Sequence, residues 1–401
     1  MSRFRLAAND SRRPAAYPGA ILTDPSNEFA SHTMQVRIPA ILQQVIDVNA
    51  GMTTSQRDAI ERLREGVATG QPVPALAAGA PDVDEWQMAL SDQPGRTWHD
   101  VEWFFAETYL YRVLMDAVGY FANRHDPFGP IKAEEYASDS HRTLIEQALS
   151  VTGTREDALY ALIGAALWGN RVDLSYAESR AHGASISTDD LLVDDRAAAI
   201  EALAGAAHTV HLVADNAGSE LSADLVLIDR LLRDKWAGQV VLHVKAHPTF
   251  VSDAITDDVI QFLRRAVDGA YGDLATGLGA RLIGAVGSGT LRLSSRYFWN
   301  SAAMWWDMPD ELHGFMSESP LTIVKGDANY RRVVGDARWP YETPFHEVVT
   351  STGIPVLCLR TLKSDPIVGL QPGQAEHLES IDSRWRWSGK RGVIQGWIPK
   401  L

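Results

Sequence analysis

The chain has 401 residues, a length that predicts two domains or one large one. Of these residues 45% are apolar and 22% charged, a composition typical of a globular protein. Its 51 acidic and 37 basic residues give a net charge of −14, which argues against a surface for nucleic acid or an anionic membrane. The single cysteine, Cys358, excludes internal disulfides and a cysteine-based zinc site, and no apolar segment approaches the ~20 residues of a membrane-spanning helix.

The first half of the chain is predicted to be helical. Residues 1 to about 30 are polar and contain prolines, which predicts a loosely held arm without the apolar core of a signal peptide. Apolar residues then recur at helical spacing in residues 53–67, which open with threonine and serine capping candidates, and in the aromatic-rich residues 100–121. The same spacing continues in residues 141–151 and 155–170. We expect a cytoplasmic protein.

From about residue 190, apolar runs alternate with helix-length segments. This alternation is typical of βαβ units, which form a mostly parallel sheet with helices on both faces. The predicted strands are residues 191–195, 210–215, 240–245, 289–295, 321–327 and 355–361. The predicted fold class is therefore α/β, with a mainly helical N-terminal domain (residues 1–180) followed by a Rossmann-like catalytic domain (residues 181–401).

Polar residues follow four of these strands. They are Asp215 and Asn216, then Asp253, then Lys325, Asp327, Asn329, Tyr330, Arg331 and Arg332, and finally Arg360 and Lys363. Because the carboxyl ends of parallel strands meet at one edge of a sheet, we expect these groups to form one site. Carboxylate and amide oxygens suit a divalent cation such as magnesium or manganese, and lysine and arginine neutralise phosphate. Together these groups are what phosphoryl chemistry requires.

Each of these groups also has a structural explanation that spacing alone leaves open. Residues 215–218 form a common turn or helix cap, Asp253 could cap the helix after it, and residues 325–329 also fit a turn. The pair at 331–332 is more often a solvated surface. If residues 215–218 do lead into a helix, the free N–H groups of its first turn, after Ser219, would add an anion site. No GxSxG, HExxH or Walker A sequence occurs.

Eight segments of the chain resemble those of the metal-dependent damage-control phosphatases, a family once described as a domain of unknown function. They are RIPAIL (37–42), WFFAETYLYR (103–112), DPFGPIK (126–132), GNRVDLS (169–175), DNAGSEL (215–221), KAHPTFVSDA (245–254), KGDANYRR (325–332) and RTLK (360–363). The last is similar to the RTxK signature of the third subfamily, which includes the acidic-residue methyltransferase homologues. The resemblance covers nearly the whole chain.

The resemblance also implies roles for individual residues. Asp215, Asn216 and Asp253 would be the metal ligands, with Mn²⁺ or Mg²⁺ as the cofactor and Co²⁺ or Ni²⁺ as further metals used in the family. The implied substrate-binding residues are Glu220, Asp327, Asn329, Tyr330, Arg331, Arg360 and Lys363. Asp253, Asp327 and Lys363 would be catalytic, the carboxylates by orienting or deprotonating a water and the lysine by neutralising developing charge.

We therefore hypothesise a divalent-metal-dependent phosphatase that acts on small phosphorylated metabolites, with sugar phosphates such as fructose phosphates as candidates. The alternative enzyme is an S-adenosylmethionine-dependent protein-glutamate O-methyltransferase, against which the absence of a glycine-rich cofactor loop argues. A third hypothesis is a non-enzymatic sensor of phosphorylated metabolites. The expected partner is a small molecule, with no nucleic acid and no membrane, and the sequence does not indicate an oligomeric state.

Overall fold

The structure is a computed structural model, and it describes residues 10–77, 81–169, 190–205 and 208–399. The α-helices in these ranges are α1 (Glu28–His32), α2 (Ile38–Val48), α3 (Thr54–Thr69), α4 (Val83–Ser91), α5 (Trp103–Ala117), α6 (Tyr120–Asn123), α7 (Gly129–Tyr136), α8 (Asp139–Leu149), α9 (Arg155–Trp168), α10 (Arg196–Leu203), α11 (Ser219–Arg233), α12 (Thr256–Val267), α13 (Asp273–Ser288), α14 (Asp310–Ser317), α15 (Asp327–Val334), α16 (Phe345–Val349) and α17 (Gln374–Ile381). The strands are β1 (Leu191–Asp194), β2 (Thr209–Val213), β3 (Gln239–Val244), β4 (Leu291–Ser295), β5 (Thr322–Lys325), β6 (Val356–Thr361) and β7 (Gly392–Trp397).

One seven-stranded sheet organises the second half of the chain, in the order β1-β7-β6-β5-β2-β3-β4. Every neighbouring pair is parallel except β6 and β7, which are antiparallel. The six predicted strands and the predicted α/β class are confirmed. Strand β7 was not predicted, because Gly392 and Gly396 weaken its strand propensity and the buried Gln395 interrupts its apolar run.

Local sequence signals explain where the first helices begin and end. The Thr53 side chain accepts the N–H of Gln56 at the start of α3, and Gly70 ends that helix in the left-handed conformation. The single helix predicted over residues 100–121 is instead divided into α5 and α6. The reason is Gly119, whose φ of 70° interrupts the helical hydrogen bonds between them.

The helices pack around three main cores. Helices α2 to α6 build a core of their own, which includes Leu42, Leu63 and Leu114. Helices α8 and α9 instead contribute Ile145 and Leu162 to the core beneath the sheet. The predicted domain boundary at residue 180 lies outside the described residues, as does most of the GNRVDLS segment, so the division into two domains stays a prediction. Below, "helical layer" means α2 to α7.

The N-terminal arm lies against the rest of the molecule from residue 10 onward. The Tyr17 hydroxyl donates to the Gly335 carbonyl (2.9 Å), and the Ile21 N–H donates to the Asp336 carbonyl (3.0 Å). The expectation of a loosely held arm is therefore wrong for these residues, whose aromatic and backbone contacts hold them. Within the described ranges, no helix combines the length and apolarity needed to cross a bilayer.

Candidate active site

The end of β2 and the loop after β3 bring the three predicted metal ligands together. Ala254 donates its N–H to the carbonyl of Asp215 (2.7 Å), and Asn216 and Asp253 form an isolated antiparallel bridge. Asp215 and Asp253 are both buried, with 7% and 2% of their surface exposed. The convergence expected from the parallel topology therefore occurs in the structure.

The Asn216 amide connects this cluster to helix α11. Its nitrogen donates to Asp215 Oδ2 and to Glu220 Oε2, both at 2.9 Å, and its oxygen accepts from Ser252 Oγ at 2.6 Å. Glu220 lies in the first turn of α11, so the family resemblance and the structure agree in putting it beside the predicted ligands. The interpretation of residues 215–218 as only a turn is too narrow, because the side chains here contact one another.

The end of β5 approaches the same carboxylates. Gly326, with φ 87°, lies so close to Asp215 that an added Cβ would be 2.0 Å from its Cγ. Lys325, the residue before it, is completely buried and forms ion pairs of 2.9 Å with both Glu220 and Asp224. Only the pair with Glu220 also has hydrogen-bond geometry. Three strand ends thus contribute to one buried, charged cluster.

A second buried lysine accompanies Asp253. Lys245, at the end of β3, has its Nζ 3.3 Å from Asp253 Oδ2 and donates to the Trp299 carbonyl (2.7 Å). The Asp253 contact is an ion pair without hydrogen-bond geometry, so this buried carboxylate oxygen receives no hydrogen bond from the residues that the structure describes. Such an oxygen has free lone pairs available to a ligand.

The pKa shifts of the carboxylates in this cluster indicate an excess of negative charge. Burial, followed by the charges of Asp253 and Glu220, raises the pKa of Asp215 well above its ordinary value. Burial also raises the pKa of Asp253 to about 6, although Lys245 opposes this effect. Burial acts on Glu220 in the same direction, but Lys325 and the Asn216 amide outweigh it and lower its pKa.

The β5 and β6 ends supply the other half of the predicted site. Arg360 Nε and the backbone N–H of Lys363 both donate to Asp327 Oδ1, at 2.8 and 3.1 Å. Burial opposes ionisation of Asp327, but Arg360 and then Arg331 outweigh it and lower its pKa. The Lys363 side chain is exposed, and its positive charge acts to lower the pKa of Asp215. Both halves are therefore electrostatically coupled.

Other predicted substrate-binding side chains are engaged within the protein. Asn329 donates to the carbonyls of Ala214 (3.0 Å) and Lys325 (2.8 Å), so it joins the ends of β2 and β5. The Tyr330 hydroxyl is buried and donates to Gln395 Oε1 (2.9 Å). Their roles in substrate binding stay predictions.

The predicted arginines are also internal. Arg331 forms ion pairs with Glu107 and Asp336, and Arg332 donates to backbone carbonyls around Trp299. Both are almost fully buried, so the interpretation of this pair as a solvated surface is wrong. Arg360 is buried as well and, besides Asp327, donates to backbone carbonyls of the loop after Lys363.

The predicted anion site at the start of α11 is occupied by the protein itself. The Ser219 N–H donates to Glu135 Oε1 (2.8 Å), and an added Cβ at Gly218 would lie 2.3 Å from the Glu135 carboxylate carbon. This carboxylate of α7 takes the place that an anion would have. The expectation of an additional anion site here is therefore wrong.

Sequence reasoning missed several charged residues of this cluster. Lys245 ends a strongly apolar strand, and Asp224 interrupts the apolar face of α11. Both are buried, at 2% and 0% exposure. Charges within apolar runs are rarely buried without a partner, and that signal could have singled them out.

In the part of the chain that the structure describes, no group of three His, Cys, Asp or Glu side chains is arranged for a metal. The predicted trio contains an amide as its third member.

Comparison with known proteins identifies the class. A sequence profile of the damage-control phosphatase ARMT1-like domain matches residues 33–378. The chain is similar to the damage-control phosphatase ARMT1 of Rattus norvegicus, with 30% identity over 95% of this chain and 99% of the relative. It is similar to the Danio rerio protein of that name at 30% identity over 92% and 94%, and to the Homo sapiens one at 28% over 95% and 99%.

Comparison with solved structures gives a more distant match. The crystal structure of a DUF89 family protein from Pyrococcus horikoshii aligns with a TM-score of 0.49 and 14% identity, over 92% of this chain and 98% of that one. The family profile matches most of the chain, so the chain belongs to the damage-control phosphatase ARMT1-like family. It is accordingly a phosphatase, and the suspected family is confirmed.

Proposed function

We propose that this phosphatase is metal-dependent and hydrolyses small phosphorylated metabolites, with sugar phosphates as the substrate class. The observation that carries the proposal is the cluster of Asp215, Asn216 and Asp253, three oxygen-bearing side chains joined by backbone contacts between the residues after β2 and the loop after β3. Oxygen donors of this kind suit Mn²⁺ or Mg²⁺, and Co²⁺ or Ni²⁺ would be further candidates.

The chemistry of these side chains fits a divalent cation. Two buried carboxylates with raised pKa values indicate too little positive charge around them, and one oxygen of Asp253 makes no hydrogen bond within the described part of the chain. The Asn216 amide directs its nitrogen toward the carboxylates, but the Ser252 hydroxyl can accept as well as donate a hydrogen bond. The flipped amide, with its oxygen toward the carboxylates, would therefore keep a partner.

The residues around this cluster would orient the water and neutralise charge on the phosphoryl group. Bound by the three side chains, the cation would offset negative charge on the phosphate and lower the pKa of the attacking water. Asp327 is held ionised by Arg360 and Arg331, so it would accept a hydrogen bond from that water and orient it. The exposed ammonium of Lys363 would neutralise charge on the transferred phosphoryl group.

A test of the proposal compares two substitutions of aspartate. The full-length protein, stripped of metal, is assayed for phosphate release from a sugar-phosphate panel with and without Mn²⁺. Asp253→Asn is expected to lower kcat/KM by at least about 100-fold. The control is Asp195→Asn, a partly buried carboxylate after β1 whose partner is the Gly396 N–H (2.8 Å).

Two results would contradict the proposal. Full activity without added metal would exclude the metal role, and an equal effect of the two substitutions would exclude the role of Asp253. Transfer of a labelled methyl group from S-adenosylmethionine to protein carboxylates, measured with the same preparations, tests the alternative activity. Sugar-phosphate binding without phosphate release would favour the sensor hypothesis.

A further inference from the structure

Lys132 of α7 is a buried charge that the proposed chemistry does not use. Only 4% of its side chain is exposed, and its Nζ contacts Asp126 Oδ2 (3.0 Å), Asp258 Oδ2 (2.8 Å) and the backbone carbonyl of Asp253 (3.0 Å). An ammonium group has three hydrogens, so this lysine has its full set of partners. The third contact joins the helical layer directly to a predicted metal ligand.

The same lysine also fixes the segment that follows Asp253. Asp258 accepts the N–H of Ile255 (2.9 Å) at the start of α12 with the oxygen that contacts Lys132. Lys132 thus holds both ends of residues 253–258. Holding the Asp253 carbonyl fixes the orientation of its peptide plane, and with it the direction in which the carboxylate leaves the backbone.

The turn before Asp253 provides an independent observation. Phe250 and Val251 have φ values of 50° and 67°, a region that side-chain-bearing residues rarely adopt and that is particularly unfavourable for a β-branched valine. Both side chains pack against the core of the helical layer, and the rings of Phe250 and Tyr111 are 5.3 Å apart. Strain of this kind persists only where the surroundings impose it.

We propose that Lys132 is a positioning residue that, together with the strained turn at Phe250 and Val251, fixes the Asp253 carboxylate for metal binding. The inference rests on the proposed function and assigns a task to the helical layer. The layer does not contribute a metal ligand of its own. It holds the loop after β3, which contains Asp253, in the geometry that binds the metal. Substitution of residues that orient a ligand typically costs about 10- to 100-fold in metal affinity.

The experiment measures Mn²⁺ binding instead of activity. Isothermal titration of the metal-stripped full-length protein compares wild type with Lys132→Met, which keeps the length of the side chain and removes its charge. We expect the dissociation constant for Mn²⁺ to rise about 10- to 100-fold. The matched control is Asp126→Asn, which weakens the same ion-pair cluster but leaves the contact between Lys132 and Asp253 intact, and its dissociation constant should change less than about threefold.

A second variant covers the case in which Lys132→Met does not fold. Val251→Gly keeps the buried lysine, relieves the strain and removes the side chain by which the helical layer holds the turn. Its affinity for Mn²⁺ should also fall, by about tenfold, while its thermal unfolding temperature stays close to that of the wild type.

The possible outcomes separate the inference from the proposed function. If wild-type protein does not bind Mn²⁺, the proposed function fails and the inference fails with it. If wild type binds Mn²⁺ but Lys132→Met and Val251→Gly bind it equally well, only the inference is overturned. Equal weakening of Mn²⁺ binding by Lys132→Met and Asp126→Asn would also overturn the inference, because the ion-pair cluster would then merely hold the helical layer against the sheet.

Discussion

The contact between Gly326 and Asp215 makes the most specific test of the site's geometry. Gly326 has φ 87° and ψ 170°, a conformation that is essentially restricted to glycine. In Gly326→Ala, the new Cβ would lie 2.0 Å from the carboxylate carbon of Asp215, and reaching an ordinary contact of 3.4 Å requires a separation of about 1.4 Å more. The carboxylate or the turn between β5 and α15 must move by that amount.

The chain contains a matched control for this substitution. Gly272 precedes α13 as Gly326 precedes α15, with φ 85° and ψ 174°, and an added Cβ would meet only Glu146 Oε1 at 3.8 Å, an ordinary contact. The backbone strain of alanine in this conformation is about 1–3 kcal/mol and should lower the free energy of unfolding in both variants. Only Gly326→Ala should also lose activity, by about 100-fold, because a misplacement of about 1 Å costs that much in catalysis.

The two quantities are measured separately. Urea unfolding gives the free energy of unfolding of both variants, and phosphate release from a sugar phosphate with saturating Mn²⁺ gives kcat/KM. If Gly326→Ala kept kcat/KM within about threefold of Gly272→Ala, the displacement of Asp215 would be irrelevant to catalysis and the interpretation of the site would be wrong. Equal losses of activity in both variants would contradict it as well.

Two further predictions concern stability. Lys325→Met leaves two buried carboxylates without their cation and should lower the free energy of unfolding by about 3–5 kcal/mol in urea, and adding Asp224→Leu should restore part of the loss. Burial lowers the pKa of His211, which contacts His243, to about 4. The unfolded chain therefore binds this proton first as the pH falls. The contribution of His211 to stability is complete above about pH 6.5 and decreases by about 1.4 kcal/mol per pH unit between about pH 6.5 and 4. His211→Asn should reduce that slope in unfolding measured at pH 7, 6 and 5, and an unchanged slope would exclude this assignment.

The sequence predicts the sheet well because its strands are buried on both faces. Residues of β2 and β3 such as Val210, Leu212 and Val240 form apolar runs for this reason, and their spacing from the polar residues that follow predicts where those residues lie. Strand β7 lacks such a run. Its place between β1 and β6 is determined by the tertiary structure, which local propensity does not encode.

What the sequence does not predict at the site also depends on the tertiary structure. The sequence identifies Asp215 and Asp253 through their position after strands, but nothing local shows that Lys132, more than 100 residues away, contacts the second of them. Likewise, the pattern around Arg331 fits a solvated surface as well as a buried position. Its partner Glu107 becomes evident only when α5 packs against α15. Long-range ion pairs leave no periodic signal in a single sequence.

Charge pairing within the cluster singles out Asp215. Asp253 has Lys245 at 3.3 Å, whereas Asp215, among the described residues, receives a direct side-chain hydrogen bond only from the neutral Asn216 amide. Asp215→Asn should therefore abolish phosphatase activity and yet stabilise the metal-free protein, because it removes a buried charge that burial and two neighbouring carboxylates disfavour. Asp253→Asn should instead destabilise the metal-free protein by about 3–5 kcal/mol, because it leaves a buried lysine unpaired. Urea unfolding in the presence of a chelator measures both, and destabilisation of the same size in the two variants would show that Asp215 is not the surplus charge.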